Sequence, residues 1–223
     1  MGSTSKIVCL ANSRKLQGRC IAGREIIGGE PGAWIRPVSD REHQEVSEYE
    51  RQYEDGSDPR VLDVIRIPFL KPLPKGWQNE NMLLDPEKYW VKEDKLSKKV
   101  LHKFAISSGP LWLNGYKTFE GQNDRIPLSQ AKDVTSSLKL IYTNVLIRVF
   151  EPGRAFGNNK RRVQAQFQFD GEEYFLYITD PIIEREFLGG KNGKYKIGDC
   201  FLTISLGEPY QDYMYKLVAA VIS

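Results

Sequence analysis

Three short stretches carry side chains suited to gripping an anion. The first is Asn12-Ser13-Arg14-Lys15-Leu16-Gln17-Gly18-Arg19, set between the apolar residues 7–11 and 20–22. Asn12 and Ser13 shape turns by bonding local backbone. Arg14, Lys15 and Arg19 add the guanidinium forks and ammonium that phosphate recognition commonly uses. The plainer reading is a charged turn that blunts a sheet edge. The second stretch is Trp34-Ile35-Arg36-Pro37. In a strand, Trp34 and Arg36 share one face and Ile35 takes the other. An aromatic beside a guanidinium can stack a base and hold a phosphate, although a core tryptophan with a salt-bridged arginine would show the same letters. The third stretch, residues 151–162, mixes Arg154, Lys160, Arg161 and Arg162 with Phe156, and has Gly153 and Gly157 for flexibility. Cations interleaved with an aromatic suit single-stranded nucleic acid.

Weaker candidates follow. Gln164, Gln166 and Gln168 alternate with apolar residues and share one strand face, where they can read base edges or simply meet water. Residues 207–213 offer Tyr210 and Tyr213 in a hairpin loop, together with Glu208 and Asp212. Signals for catalysis are poor. His43 and His102 are the only histidines, and neither sits in a nucleophile arrangement. Asp40, Glu42 and His43 invite a metal-nuclease reading, but they fall in a region where acidic charge is expected anyway. Cys9, Cys20 and Cys200 lack zinc-site spacing and read as reduced, mostly buried thiols. The glycine-rich residues 189–194 lack the spacing and terminal hydroxyl of a P-loop. No metal or cofactor is expected.

Charge is uneven along the chain. Net charge is only +3, yet residues 1–38 hold Lys6, Arg14, Lys15, Arg19, Arg24 and Arg36 against Glu25 and Glu30. Residues 39–58 then turn strongly acidic. A basic edge beside an acidic segment can attract an anion on one side and repel it on the other, though solvated faces look alike. No apolar run approaches the roughly eighteen residues of a membrane span. Residues 1–5 do not resemble a secretory leader. A cytoplasmic protein without membrane contact is the expectation.

The elements that must position these groups are mostly strands. Residues 138–150 are rich in β-branched and aromatic side chains, 163–169 alternate strictly, Asp170-Gly171 is a hairpin turn, and 174–179 return. Asp180-Pro181 caps and opens a short helix that Gly189-Gly190 ends. Ile182, Ile183, Phe187 and Leu188 give that helix an apolar face. Strands at 200–206 and 215–222 complete a β-β-β-α-β-β order, that of the OB fold, a five-stranded Greek-key barrel. In the first half, residues 6–11, 20–27 and 33–38 read as strands, 42–54 holds an acidic helix, and 61–69 is an edge strand because Pro68 lacks a donor. Residues 86–90 suggest one helical turn and 95–104 have helical spacing. A fifth strand is missing from this half, and residues 111–113 are the candidate to supply it. The predicted fold class is mainly β (α+β), with two OB-like barrels at residues 1–135 and 136–223.

Read together, KIVCLANSRKLQGRCIAG (residues 6–23) and WIRPVS (residues 34–39), followed by a second barrel-like half, resemble the dual OB-containing domain family of bacterial proteins. The resemblance spans nearly the whole chain. It implies two OB barrels, no established enzymatic activity, and recognition of nucleic acid or a nucleotide, in the setting of bacterial defence. The expected function is therefore a non-catalytic module that binds single-stranded nucleic acid or a nucleotide through basic loops. The alternatives are a nuclease or nucleotide hydrolase built on Asp40, Glu42 and His43, and an adaptor that docks a protein partner through exposed Trp77, Trp90 and Trp112.

Overall fold

The computed structural model describes residues 2–152 and 160–223. The chain divides into two units, Met1–Phe104 with Thr135–Ser137, and Ala105–Val134 with Leu138–Ser223.

In the first unit, β1 (Ser3–Lys15), β2 (Gly18–Ile27) and β3 (Glu30–Val38) form a meander. A four-residue helix, α1 (Glu48–Arg51), follows. Then come β4 (Asp63–Pro72), β5 (Asn81–Leu84) and β6 (Val91–Lys95). The sheet order is β1-β2-β3-β5-β4-β6, and β1 also pairs with β4, from Ser3 opposite Phe69 to Val8 opposite Val64. That extra ladder closes the ring. β3 and β5 run parallel, as the helix crossover between β3 and β4 requires. Five strands closed in this order make an OB barrel, and β6 is appended to β4.

The missing fifth strand is thus Asn81–Leu84, hidden in a proline-broken stretch and too short for its alternation to register. Residues 111–113 form no strand; Trp112 adopts a positive φ of 61° and Leu111 packs in the second unit's core. β4 is paired on both sides rather than at an edge. Pro68 falls where its partner changes from β6 (ending opposite Arg66) to β5 (starting opposite Phe69), so its absent N–H costs the ladder little. The expected acidic helix shrinks to one turn fixed by a capping box: Glu50 N donates to Ser47 Oγ at 3.3 Å and Ser47 N to Glu50 Oε2 at 2.9 Å. Residues 86–90 make a turn instead of a helix, and 98–103 coil as a 3-10 helix. Ile7, Cys9, Ile21, Ile35, Ile65, Ile67, Phe69, Leu84 and Trp90 fill the barrel.

Burial pushes the Cys9 thiol up to about 12, aided by Asp63 nearby. Cys200 is also buried, whereas Cys20 is half-buried. Thiolate is the reactive form, so a thiol-specific disulfide reagent is expected to react with Cys20 in the native protein and with all three cysteines once the chain is unfolded in denaturant.

In the second unit, β7 (Arg125–Pro127) precedes β8 (Leu138–Phe150), β9 (Arg162–Phe169) and β10 (Glu172–Tyr177). A helix α2 (Pro181–Leu188), then β11 (Gly193–Tyr210) and β12 (Tyr213–Ile222), complete the predicted order. The sheet runs β10-β9-β8-β11-β12-β7. A parallel bridge, Ile178 to Val218, joins the end of β10 to β12 and closes the five strands into the OB ring. Asp170 and Gly171 both take positive φ in the β9–β10 turn, as the Asp-Gly pair predicts. Asp180 Oδ1 accepts from Ile182 N at 3.0 Å and Ile183 N at 3.4 Å, capping α2. Ile183, Phe187 and Leu188 pack on the barrel core, but Ile182 points to solvent, 67% exposed.

Candidate nucleic-acid interface

The basic turn at 12–19 is mostly strand. β1 runs to Lys15 and β2 starts at Gly18, so only Leu16 and Gln17 turn the chain. Arg14 and Arg19 face each other across the two strands, and opposed residues share a face. Lys15 stands opposite Gly18. The hairpin therefore gathers three cations at one end of the first barrel. Asn12 and Ser13 do other work. Asn12 Nδ2 donates to Pro59 O at 2.8 Å, and buried Ser13 Oγ donates to Cys20 O at 3.3 Å.

Ile35 lies in the core and Trp34 with Arg36 faces outward, as the alternation predicts. Their fates differ. Trp34 is half-buried beneath the Arg24 guanidinium, 5.7 Å from its ring centroid. Arg24 stands directly opposite Trp34 on β2, and its Nε donates to Gly32 O at 2.6 Å. Arg36 is buried. Its Nη2 lies 3.3 Å from Glu80 Oε1 and donates to Ser137 Oγ at 2.6 Å. Ser137 Oγ in turn donates to Glu80 Oε1. Arg36 is a structural ion pair, which leaves Arg24 as the guanidinium beside the tryptophan. The sequence pairing of Trp34 with its i+2 neighbour missed Arg24, because the cross-strand partner depends on register.

In the second unit, Arg154 and Phe156, with Gly153 and Gly157, lie outside the described residues. Lys160 is exposed. Arg161 closes the C-terminal end of α2: Nη1 donates to Leu188 O at 2.8 Å, Nη2 to Gly190 O at 2.6 Å, and Nε to Asn192 Oδ1 at 2.8 Å. Its fork satisfies helix-end carbonyls and is not presented outward. Arg162 stands opposite Phe150 on β8.

Around Arg162 lies a cluster the sequence reading did not assemble. Arg148 and Phe150 on β8, Arg162 and Gln164 on β9, and Tyr177 on β10 all point to the outer face. The Arg148 guanidinium sits 3.9 Å from the Phe150 ring centroid. The Phe150 and Tyr177 rings lie 6.2 Å apart and within 18° of parallel. Burial pushes the Tyr177 hydroxyl above its ordinary value and Glu120 adds to that, while Arg162 and Arg148 oppose it. Phe150 is itself buried, so the half-buried Tyr177 ring is the one a base can reach, with two guanidinium groups near it to pair phosphates. Arg148, Phe150 and Tyr177 each looked like strand filler in a long apolar run; only the pairing of three strands shows that they converge.

Two of the three glutamines in the row are turned away from water. Gln164 and Gln166 are buried, and Gln164 Nε2 donates to Glu120 O at 2.7 Å. Gln168 alone is exposed. The segment at 207–213 is largely strand as well, since β11 continues to Tyr210 and β12 begins at Tyr213. Gln211 and Asp212 turn with positive φ, Tyr210 is exposed, and Arg125 stacks on Tyr213 at 3.9 Å.

Asp40, Glu42 and His43 are exposed on the loop before α1 instead of on a helix. Among the described residues no group of three His, Cys, Asp or Glu side chains is placed to hold a metal ion. Trp90 is fully buried, and Trp77 and Trp112 are half-buried, so none is the exposed anchor the adaptor reading needs. No helix among the described residues is long and apolar enough to cross a membrane.

The model of one protein family, described as the dual OB-containing domain, matches residues 5–221. Searches of curated proteins and of solved structures find no match.

Proposed function

The chain belongs to the dual OB-containing domain family, and from that premise we propose that it is a non-catalytic module binding single-stranded nucleic acid, or a nucleotide, on the outer faces of its barrels. The observation that supports this best is the convergence of Arg148, Phe150, Arg162 and Tyr177 on the outer face of β8–β10. Those are the first three strands of an OB barrel, whose second and third strands with the adjoining loops form the usual oligonucleotide surface. Arg24 over Trp34 on β2 and β3 gives the first barrel a similar pairing. The Arg14, Lys15 and Arg19 hairpin and Lys160 add cations beside these faces. Phosphates pair with the guanidinium groups while bases stack on the rings, and neither interaction demands a particular base sequence. By the same reading we place the protein in the bacterial cytoplasm with a part in defence, and a protein can take the place of nucleic acid on such a surface.

Labelled oligothymidylate, followed by fluorescence anisotropy over a salt series, tests the proposal. Affinity is expected to fall linearly on a log–log plot against salt. Each lost single-strand phosphate contact removes about 0.7 from the slope, so Lys160→Gln with Arg162→Gln should flatten it by about 1.4. Absence of binding to both oligomer and mononucleotide at low salt refutes the proposal.

A further inference from the structure

The outer face of the second barrel is not open along its length. Residues 118–124 cross it as a strap. At one end Gln122 pairs with Phe175 on β10, N to O at 3.4 Å and O to N at 3.0 Å. Asn123 Nδ2 donates to Glu173 O at 3.0 Å. Thr118 N donates to Asp124 Oδ1 at 2.8 Å, which holds the strap in a tight loop. From there the chain reaches over β9, where Gln164 Nε2 holds Glu120 O. The Glu120 carboxylate ends on β8, with Oε2 2.9 Å from Arg148 Nη1. Phe119, beside it, is 82% exposed.

We propose that this strap is an internal competitor, in which the Glu120 carboxylate occupies the position on Arg148 that a ligand phosphate takes. The inference rests on the nucleic-acid reading above and adds the regulation of that site. A carboxylate and a phosphate oxygen present the same acceptor geometry to a guanidinium fork. The pair is partly solvated, with side-chain exposures of 29% for Arg148 and 18% for Glu120, so its attraction is modest and exchangeable. Behind it, the half-buried Tyr177 ring, backed by buried Phe150, remains in place for a base. A strand that displaces Glu120 exchanges one anion for another on Arg148 and frees the strap. The backbone anchors at Gln122 and Asn123 keep it tethered for return.

The test compares wild type with Glu120→Gln and Arg148→Gln, using labelled oligothymidylate at low salt. Glutamine keeps the size and polarity of the side chain and removes its charge, so the Glu120→Gln protein is expected to bind about fivefold more tightly, the scale of one exposed ion pair. Arg148→Gln should bind more weakly than wild type. Hydrogen exchange on the wild-type protein gives an independent readout: the Gln122 and Phe175 amides should lose protection when the oligomer is added. Binding that is equal or weaker in Glu120→Gln, or protection that holds or rises on binding, overturns the competitor while leaving the nucleic-acid reading intact. Failure of every form to bind refutes that reading and the competitor with it. Binding by Glu120→Gln alone supports both.

Discussion

Replacing Glu80 with alanine is expected to destabilise the protein by about 3–5 kcal/mol, the range for stranding one member of a buried ion pair. Arg36 and Glu80 side chains are only 5% and 3% exposed. Glu80 accepts from Ser137 through both carboxylate oxygens, and its backbone carbonyl accepts from Arg36 N at 2.8 Å. Removing the carboxylate leaves a buried guanidinium whose Nη2 keeps only the neutral Ser137 hydroxyl. Its Nε is already without a partner among the described residues, so little remains to solvate the charge. Such a loss takes up a large share of ordinary domain stability. The double variant Arg36→Met with Glu80→Leu should recover most of it, because two apolar side chains leave no uncompensated charge. Urea unfolding of the three proteins measures both effects. A loss below about 1 kcal/mol for Glu80→Ala, the level of an exposed pair, would show that solvent reaches the site.

The second large effect is a dependence on pH. Lys216 is 1% exposed, and its Nζ donates to Leu113 O at 2.6 Å and to Asn114 Oδ1 at 3.1 Å. Burial pulls its pKa down to about 7, with Asp124 and Glu172 opposing and Lys139 assisting. The unfolded chain holds this proton up to about 10.4. Between those limits the unfolded state binds more protons, so stability rises with pH, by up to about 1.4 kcal/mol per unit. The lysine alone therefore contributes a gain of about 2 kcal/mol between pH 7 and 9. The buried Cys9 thiol, protonated to about 12 in the folded protein but ionising from about pH 8.5 in the unfolded chain, takes back about 1 kcal/mol of it by pH 9, holds stability level up to about pH 10.4 and lowers it above. Lys216→Met should flatten the rise. Denaturant midpoints at pH 7, 8 and 9 decide it, and an equal slope in both proteins would assign the effect elsewhere.

Legibility in the sequence followed the local signals. The second barrel was readable because each strand carries its own alternation and each turn its own chemistry, as at Asp170-Gly171 and Asp180-Pro181. The first was only partly so. Its closing strand, Asn81–Leu84, has four residues, and it pairs in parallel with a strand more than forty positions earlier, a relation no local pattern encodes. Loops were overestimated at residues 12–19 and 207–213, since polar and charged residues near strand ends look like turns while the ladder continues beneath them. The candidate site was legible in type but not in membership. Arg36 and Arg161 met the compositional test and are engaged internally, whereas Arg24, Arg148 and Tyr177 belong to the outer faces through register alone. Glu120 lies 28 residues before Arg148 and 44 before Gln164, the strand residues it contacts.

The two rings are sealed unequally. Three residue pairs, Arg36 with Asn81, Pro37 with Met82 and Val38 with Leu83, hold the seam of the first. In the second the seam is the bridge at Ile178 and Val218, where Thr179 N donates to Val218 O at 2.9 Å. Side chains reinforce that single bridge: Thr179 Oγ1 donates to Val218 O at 3.3 Å, and Asp180 Oδ2 accepts from Val221 N at 3.3 Å. The second ring is therefore closed in part by the residues that cap its helix, so a change at Asp180 loosens helix and seam together.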